Sequence, residues 1–321
     1  MIKTGLYRLE QLSSPAKIRG FFGGTRRVSI TLYEKLHEMK KAEEWAEQIL
    51  FNYCDARGIY KRTYACRFDQ FDAMAIDSLG QTFPASRPLT MHDIGVSDGR
   101  TARDFFQKLA ARFPHLSYYA SDHEPSLMMV RSGKGGSVVT LNQKGEAIEI
   151  VMPPFVFNLI KPENFFFYPI NYAFFLFARA IVLPRTLAKY RAGKIEPLPL
   201  VLFCPAARDL AASDGRFRLL EYDLLKPHAL PCRADVVRVM NVLNSSYFDS
   251  QQLAIAVGHI FESLTPGGLL IIGSNDAAGT EVRGAIYRKL SQGFQVLAKS
   301  GADHDAHQAI MSWTANERDG L

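Results

Sequence analysis

The chain is poor in cysteine. Its 321 residues hold only Cys54, Cys66, Cys204 and Cys232, with no Cys-x-x-Cys pair. That argues against a disulfide framework or a cysteine-built metal site and suits isolated thiols in a reducing cytosol. Long apolar runs are missing too. The first residues, MIKTGLYRLEQL, lack the apolar core of a secretory leader. The longest uninterrupted apolar stretch, residues 170–183, carries Asn171 and Arg179. It falls short of the roughly 20 apolar residues that span a bilayer, so no transmembrane helix is expected. No internal repeat or low-complexity tail occurs, and no Gly-x-Gly-x-x-Gly fingerprint. The net charge of +6 is too small an excess to identify nucleic acid as a partner.

What is present is an ordered α/β pattern. Residues 89–94 form a short apolar run, and a turn, Asp93-Ile-Gly-Val-Ser-Asp-Gly99, follows. Ala102, Phe105, Phe106, Leu109 and Phe113 then recur at helical spacing, and a second apolar run, 116–120, ends on Ser121-Asp122. Strand, glycine turn, helix and strand with an acid at its tip is the unit that holds a nucleotide in a doubly wound sheet. Ser97 stands between the two glycines, where a side chain is expected to restrict positive φ.

Upstream, Thr31 and Glu34 have capping-box spacing before a stripe of Leu32, Leu36, Met39, Ala46 and Leu50. A second helix is expected over 69–79. Downstream, 137–141 and 147–151 flank Asn-Gln-Lys-Gly as a hairpin. Next comes a Phe-rich stretch interrupted by Pro153, Pro154, Pro162 and Pro169, then the cations Arg185, Lys189, Arg191 and Lys194. Residues 198–203 and 217–223 read as strands, and 234–244 as a strand with its exit loop. Residues 251–264 carry a helical stripe. Leu264-Thr-Pro-Gly-Gly268 then leads into the apolar run 269–273, and 285–290 with 294–299 form a terminal hairpin.

The ordered set Asp93/Gly95/Gly99, Asp122, Asp223 and Pro266-Gly267-Gly268 resembles class I S-adenosylmethionine-dependent methyltransferases. The stretch RVMNVLN…YF…LTPGGLLIIG is similar, more loosely, to chemotaxis-receptor methyltransferases. The likeness covers about 89–122 and 216–299. It implies a Rossmann-like α/β fold: a mostly parallel seven-stranded sheet with helices on both faces, N-terminal helices, and a large aromatic-rich insert after the second strand. The expected division is an N-terminal helical cap, 1–85, a cofactor-binding domain, 86–124 with 206–321, and an inserted hairpin and apolar region, 125–205.

By the same resemblance, S-adenosylmethionine is the cofactor. Asp93, Gly95, Ser97 and Gly99 fall at its methionine end, Asp122 at the ribose and Asp223 at the adenine. Asn241 faces the methionine or the acceptor. Methyl transfer is an in-line displacement that needs positioning more than a protein nucleophile. His123 is the first candidate for a general base, with Tyr247 and Glu124 behind it. His92 reads as a core residue. His304 and His307 lack a convincing third ligand, so no metal is expected. The missing Asn-Pro-Pro-Tyr signature lowers a DNA base as acceptor, so nucleic acid is not expected, and the aromatic insert favours a small or lipid-like hydrophobic acceptor.

The insert reads as a lid, as an apolar platform on an anionic membrane surface or around a lipid-like substrate, or as a homodimer interface. The expected location is the cytoplasm, with peripheral association at the inner face of a membrane left open. A methyltransferase-like binding subunit without catalysis remains an alternative, as does a nicotinamide-dependent oxidoreductase.

Overall fold

The computed structural model describes residues 2–12, 26–38, 42–56, 58, 61, 63, 67–133, 136–162, 165–166, 168–227, 230–275 and 281–314. Met39 and Cys66, singled out above, lie outside them. The chain divides into two units. One holds residues 1–63 and 124–205, the other 64–123 and 206–321. The N-terminal residues thus share a unit with the insert, whereas the sequence suggested a separate cap over 1–85.

In the second unit, β1 (Leu89–Ile94) pairs in parallel with β2 (Leu116–Asp122), Leu89 opposite Leu116. Seven strands make the sheet. Along it the order is β12 (Phe294–Ser300), β11 (Arg283–Lys289), β10 (Leu264–Ser274), β9 (Ala234–Met240), β1, β2 and β8 (Phe217–Glu221). The strands from β10 to β8 are mutually parallel, and β11 and β12 complete the sheet as an antiparallel hairpin. The buried strands read as continuous apolar runs because both faces are covered.

The period of two along β9 sorts its residues to opposite faces. Val237 and Val239 join Val257 and Ile260 of α7 (Ser250–Ser263) in one core. Arg238 points the other way, to Phe105 of α3 (Arg100–Arg112) and Asp72 of α2 (Asp69–Thr82).

Asp249 and Gln252 form a reciprocal capping box at the start of α7. At its other end, Lys289 Nζ donates to the carbonyls of Phe261 at 2.5 Å and Leu264 at 2.8 Å. A cation from β11 therefore answers the helix dipole that α7 leaves without a basic residue in its last turn. The Pro-Gly-Gly turn is a register shift in β10: Leu264 pairs with Ala234 and Leu269 with Val236.

The first unit is built on an antiparallel sheet of five strands. Its order is β6 (Phe155–Asn158), β5 (Ala147–Met152), β4 (Val138–Leu141), β3 (Ser126–Arg131) and β7 (Leu198–Val201). Leu127 and Met129 of β3 pack with Ile30, Leu32, Trp45 and Ile49 from the 3-10 helix Ile30–Glu38 and from α1 (Ala42–Asn52). Val130 joins Val139, Ile150, Phe157, Phe175 and Ala178 on the opposite side.

Two sequence expectations change here. The single helix expected from Thr31 to Leu50 is two elements. It starts at Ile30, whose N–H donates to Glu149 Oε1 at 3.2 Å, a tertiary acceptor that local sequence does not display. The second change concerns residues 169–191, which form one continuous helical run of 23 residues, long and apolar enough to cross a membrane. The sequence put the longest uninterrupted apolar run at 170–183. Instead α4 (Pro169–Phe177) passes through a π-helical turn, Ala178–Val182, into α5 (Leu183–Arg191). Leu183 N–H reaches Ala178 O across that wider turn. Pro184 falls in the first turn of α5, where its missing donor costs little.

Candidate functional site

Parallel strands deliver their carboxyl ends to one edge of the sheet, so the segments after β1, β2, β8 and β9 meet there. From β1 the chain moves to β2 on one side and later to β9 on the other. The gap between the ends of β1 and β9 is therefore the topological switch point, where open α/β sheets bind ligands.

The turn after β1 closes on β2. Gly95 N and Val96 N donate to Ser121 O at 2.7 and 3.0 Å, and Ser97 N donates to Asp122 Oδ2 at 2.8 Å. Gly95 has φ +76, and a Cβ built on it would collide with Val242 Cγ2 just beyond β9. Gly99 has φ +80 and begins α3 as its N-cap.

Ser97 also takes the left-handed region, φ +58. That corrects the expectation that its side chain would restrict the backbone there. The bond to Asp122 holds a conformation that ordinarily disfavours a side chain. Asn241, φ +59, is the other non-glycine residue with positive φ among those described. Its N–H reaches Gly273 O at 2.8 Å, and its side chain exchanges two hydrogen bonds with Asn275. The two strained residues thus follow β1 and β9, one on each side of the switch point.

Beneath the turn, Asp93 is 1% exposed. Its Oδ2 accepts from Tyr118 Oη at 2.5 Å and from Arg238 Nη1 at 2.9 Å. Arg238 Nη2 donates to Asp72 Oδ1, also at 2.9 Å. Two carboxylates face one guanidinium, so ionising both leaves net negative charge in the interior. Burial raises both carboxyls, against the pull of Arg238. For Arg238 burial acts downward, but Asp72 and Asp93 outweigh it and keep the guanidinium charged. Asp93 thereby anchors the turn from below. Arg238 stood in plain view as a cation between valines in the run Val236-Val-Arg-Val-Met240, and a buried cation demands a counter-charge; Asp72, Tyr118 and Asn275 carried no such signal.

Asp223 lies two residues past β8, and its Oδ1 accepts from Leu225 N at 3.1 Å, a local turn. Oδ2 is 3.7 Å from His123 Nδ1, and both side chains are partly exposed. Tyr247 follows β9 and packs on the α7 core. Glu124 belongs to the other unit, where its carboxylate accepts from Tyr53 and its carbonyl from Lys61 Nζ. Arg100 is buried against Asp98, Nη2 to Oδ2 3.3 Å. His92 Nε2 meets Ser121 Oγ at 2.8 Å in the core, as expected of it. Tyr287 Oη sits between His304 Nε2, 2.8 Å away, and His307 Nδ1, 2.7 Å away.

The unit is Rossmann-like. No protein-family model matches the chain, and no curated protein matches its sequence. Solved structures similar to it include an O-methyltransferase family protein from Burkholderia thailandensis, 14% identical with a TM-score of 0.30 over 75% of this chain and 44% of that one. Another is the mitomycin 7-O-methyltransferase MmcR, 15% identical with a TM-score of 0.31 over 78% and 46%. The N-methyltransferase NodS from Bradyrhizobium japonicum WM9 is 16% identical with a TM-score of 0.30 over 65% and 71%. The chain spans less than half the length of the first three solved structures it matches. The fold assignment of the Rossmann-like unit rests on its own strand order and directions.

Proposed function

We propose that the Rossmann-like unit binds S-adenosylmethionine at the switch point and directs its methyl group to a small or lipid-like hydrophobic acceptor. The observation that carries the reading is the strained pair Ser97 and Asn241 beside the clamp from Ser97 N to Asp122 Oδ2. Strained backbone concentrates where a ligand is held. Ser97 Oγ is also buried without a hydrogen-bond partner among the described residues, as a ligand-facing hydroxyl would be.

In this reading the Gly95–Gly99 turn, its backbone held by Ser121 and Asp122, lies at the methionine end of the ligand with the Ser97 hydroxyl toward it. Asp122 accepts from ribose hydroxyls and Asp223 from the adenine amine. Asn241 orients the methionine or the acceptor. When bound, the cofactor supplies an electrophilic methyl on a sulfonium. His123 is the first candidate to take a proton from a hydroxyl or amine acceptor, and Tyr247 the second.

The test is incubation with methyl-labelled S-adenosylmethionine and a total lipid extract, with NADH fluorescence titration in parallel. Label in the organic phase that disappears with Asp122→Ala supports the reading. NADH binding without any label overturns it.

A further inference from the structure

An ordinary surface helix turns charged residues outward. The first turns of α4 do not. Asn171, Phe175 and Ala178 are buried, and Ile170, Tyr172, Phe174, Leu176 and Phe177, around the remaining arc, are all exposed large apolar side chains. No charged residue occurs from Phe165 to Ala178. Every charged residue over the following stretch to Lys194 is a cation: Arg179, Arg185, Lys189, Arg191 and Lys194. None of the five makes an ion pair among the described residues.

We infer that this face docks on an anionic lipid surface, lying in the membrane interface rather than crossing it. An exposed apolar arc followed by unpaired cations is the pattern that buries aromatics among acyl chains while basic side chains meet anionic head groups. Length alone permits a span, but the opposite side of the helix is engaged. Asn171 exchanges two hydrogen bonds with the Lys3 backbone, at 2.9 and 2.7 Å. Phe175 packs on Phe157 and Phe165, ring centroids 5.7 and 5.2 Å apart. A spanning helix would have to leave that antiparallel sheet and expose its apolar face. Acidic lipid fits the five cations better than a second copy of the chain, whose matching face would set cation against cation.

The test is flotation of the full chain with phosphatidylcholine vesicles and with vesicles of equal parts phosphatidylcholine and phosphatidylglycerol. Wild type, Phe174→Ser/Phe177→Ser and Lys189→Glu/Arg191→Glu are compared, with near-UV circular dichroism as the check on folding. The inference expects wild type to float with anionic vesicles and be released by high salt. Each double variant, folded as judged by its spectrum, should bind about 25-fold more weakly or worse. Flotation equal on both vesicles, none on either, resistance to salt extraction, or an apolar-face variant that only dissolves a dimer would overturn it. The assay involves no cofactor, so its failure leaves the methyl-transfer reading untouched.

Discussion

Ser97 N–H donates to the side chain of Asp122 over 2.8 Å, so the acid at the tip of β2 fixes the backbone of the turn after β1. Asp122→Ala removes the clamp and the proposed ribose acceptor together. Hydrogen bonds to a charged group are worth about 1.5–3 kcal/mol, so affinity for S-adenosylhomocysteine should fall about 10- to 100-fold. Ser97→Gly relieves the left-handed strain, worth about 1–3 kcal/mol for a residue with a side chain. It should therefore raise the unfolding midpoint, and calorimetry of both variants checks the pair.

Gly95 carries two constraints, its φ of +76 and the approach of Val242. Gly95→Ala should destabilise the second unit by at least about 1–3 kcal/mol from the backbone alone. Gly95→Ala/Val242→Ala opens the space but leaves φ unchanged, so it should recover only part of the loss. Urea unfolding of the two variants separates the terms.

Arg238 holds two buried carboxylates. Arg238→Met should cost about 3–5 kcal/mol near neutral pH, because the acids lose their partner while remaining buried. Adding Asp72→Asn should restore part of it. An Arg238→Met variant as stable as wild type at neutral pH would contradict the ion-pair account.

Glu149 in the first unit and His304 in the second should contribute to stability with opposite dependence on pH. Burial pushes Glu149 up from 4.5 to about 7, against the donors Ser29 Oγ and Ile30 N. A raised carboxyl stays protonated in the fold while the unfolded chain ionises. The first unit therefore loses stability as pH rises from 4.5 to 7, by up to about 3 kcal/mol. Burial, then His307, pushes His304 down from 6.5 to about 4. There the unfolded chain binds the proton first, so the second unit loses stability as pH falls from 6.5 to 4, by a similar amount. Trp45 and Trp313 are the chain's two tryptophans, one in each unit. Trp45→Phe and Trp313→Phe variants thus report the slopes separately by fluorescence, and Glu149→Gln should flatten the first.

The strand–turn–helix–strand unit was legible because its signals are local: apolar runs, glycines and an acid at a strand tip. The insert hairpin and the terminal hairpin were legible for the same reason. Partners distant in sequence were not. Arg238 meets Asp93 and Asp72 across 145 and 166 residues, and Ile30 meets Glu149 across 119. Ser97 was read from its intrinsic preference, which the bond to Asp122 overrides. The helix running on past residue 183 was not read from the sequence because the π-helical turn at Ala178–Val182 that precedes Pro184 has no simple signature.

Isothermal titration of S-adenosylhomocysteine into the folded chain and into Asp122→Ala tests the central claim most directly. The account predicts saturable binding to wild type at one site per chain, weakened at least about tenfold in the variant. No heat of binding to wild type, or equal affinity in both, would contradict it.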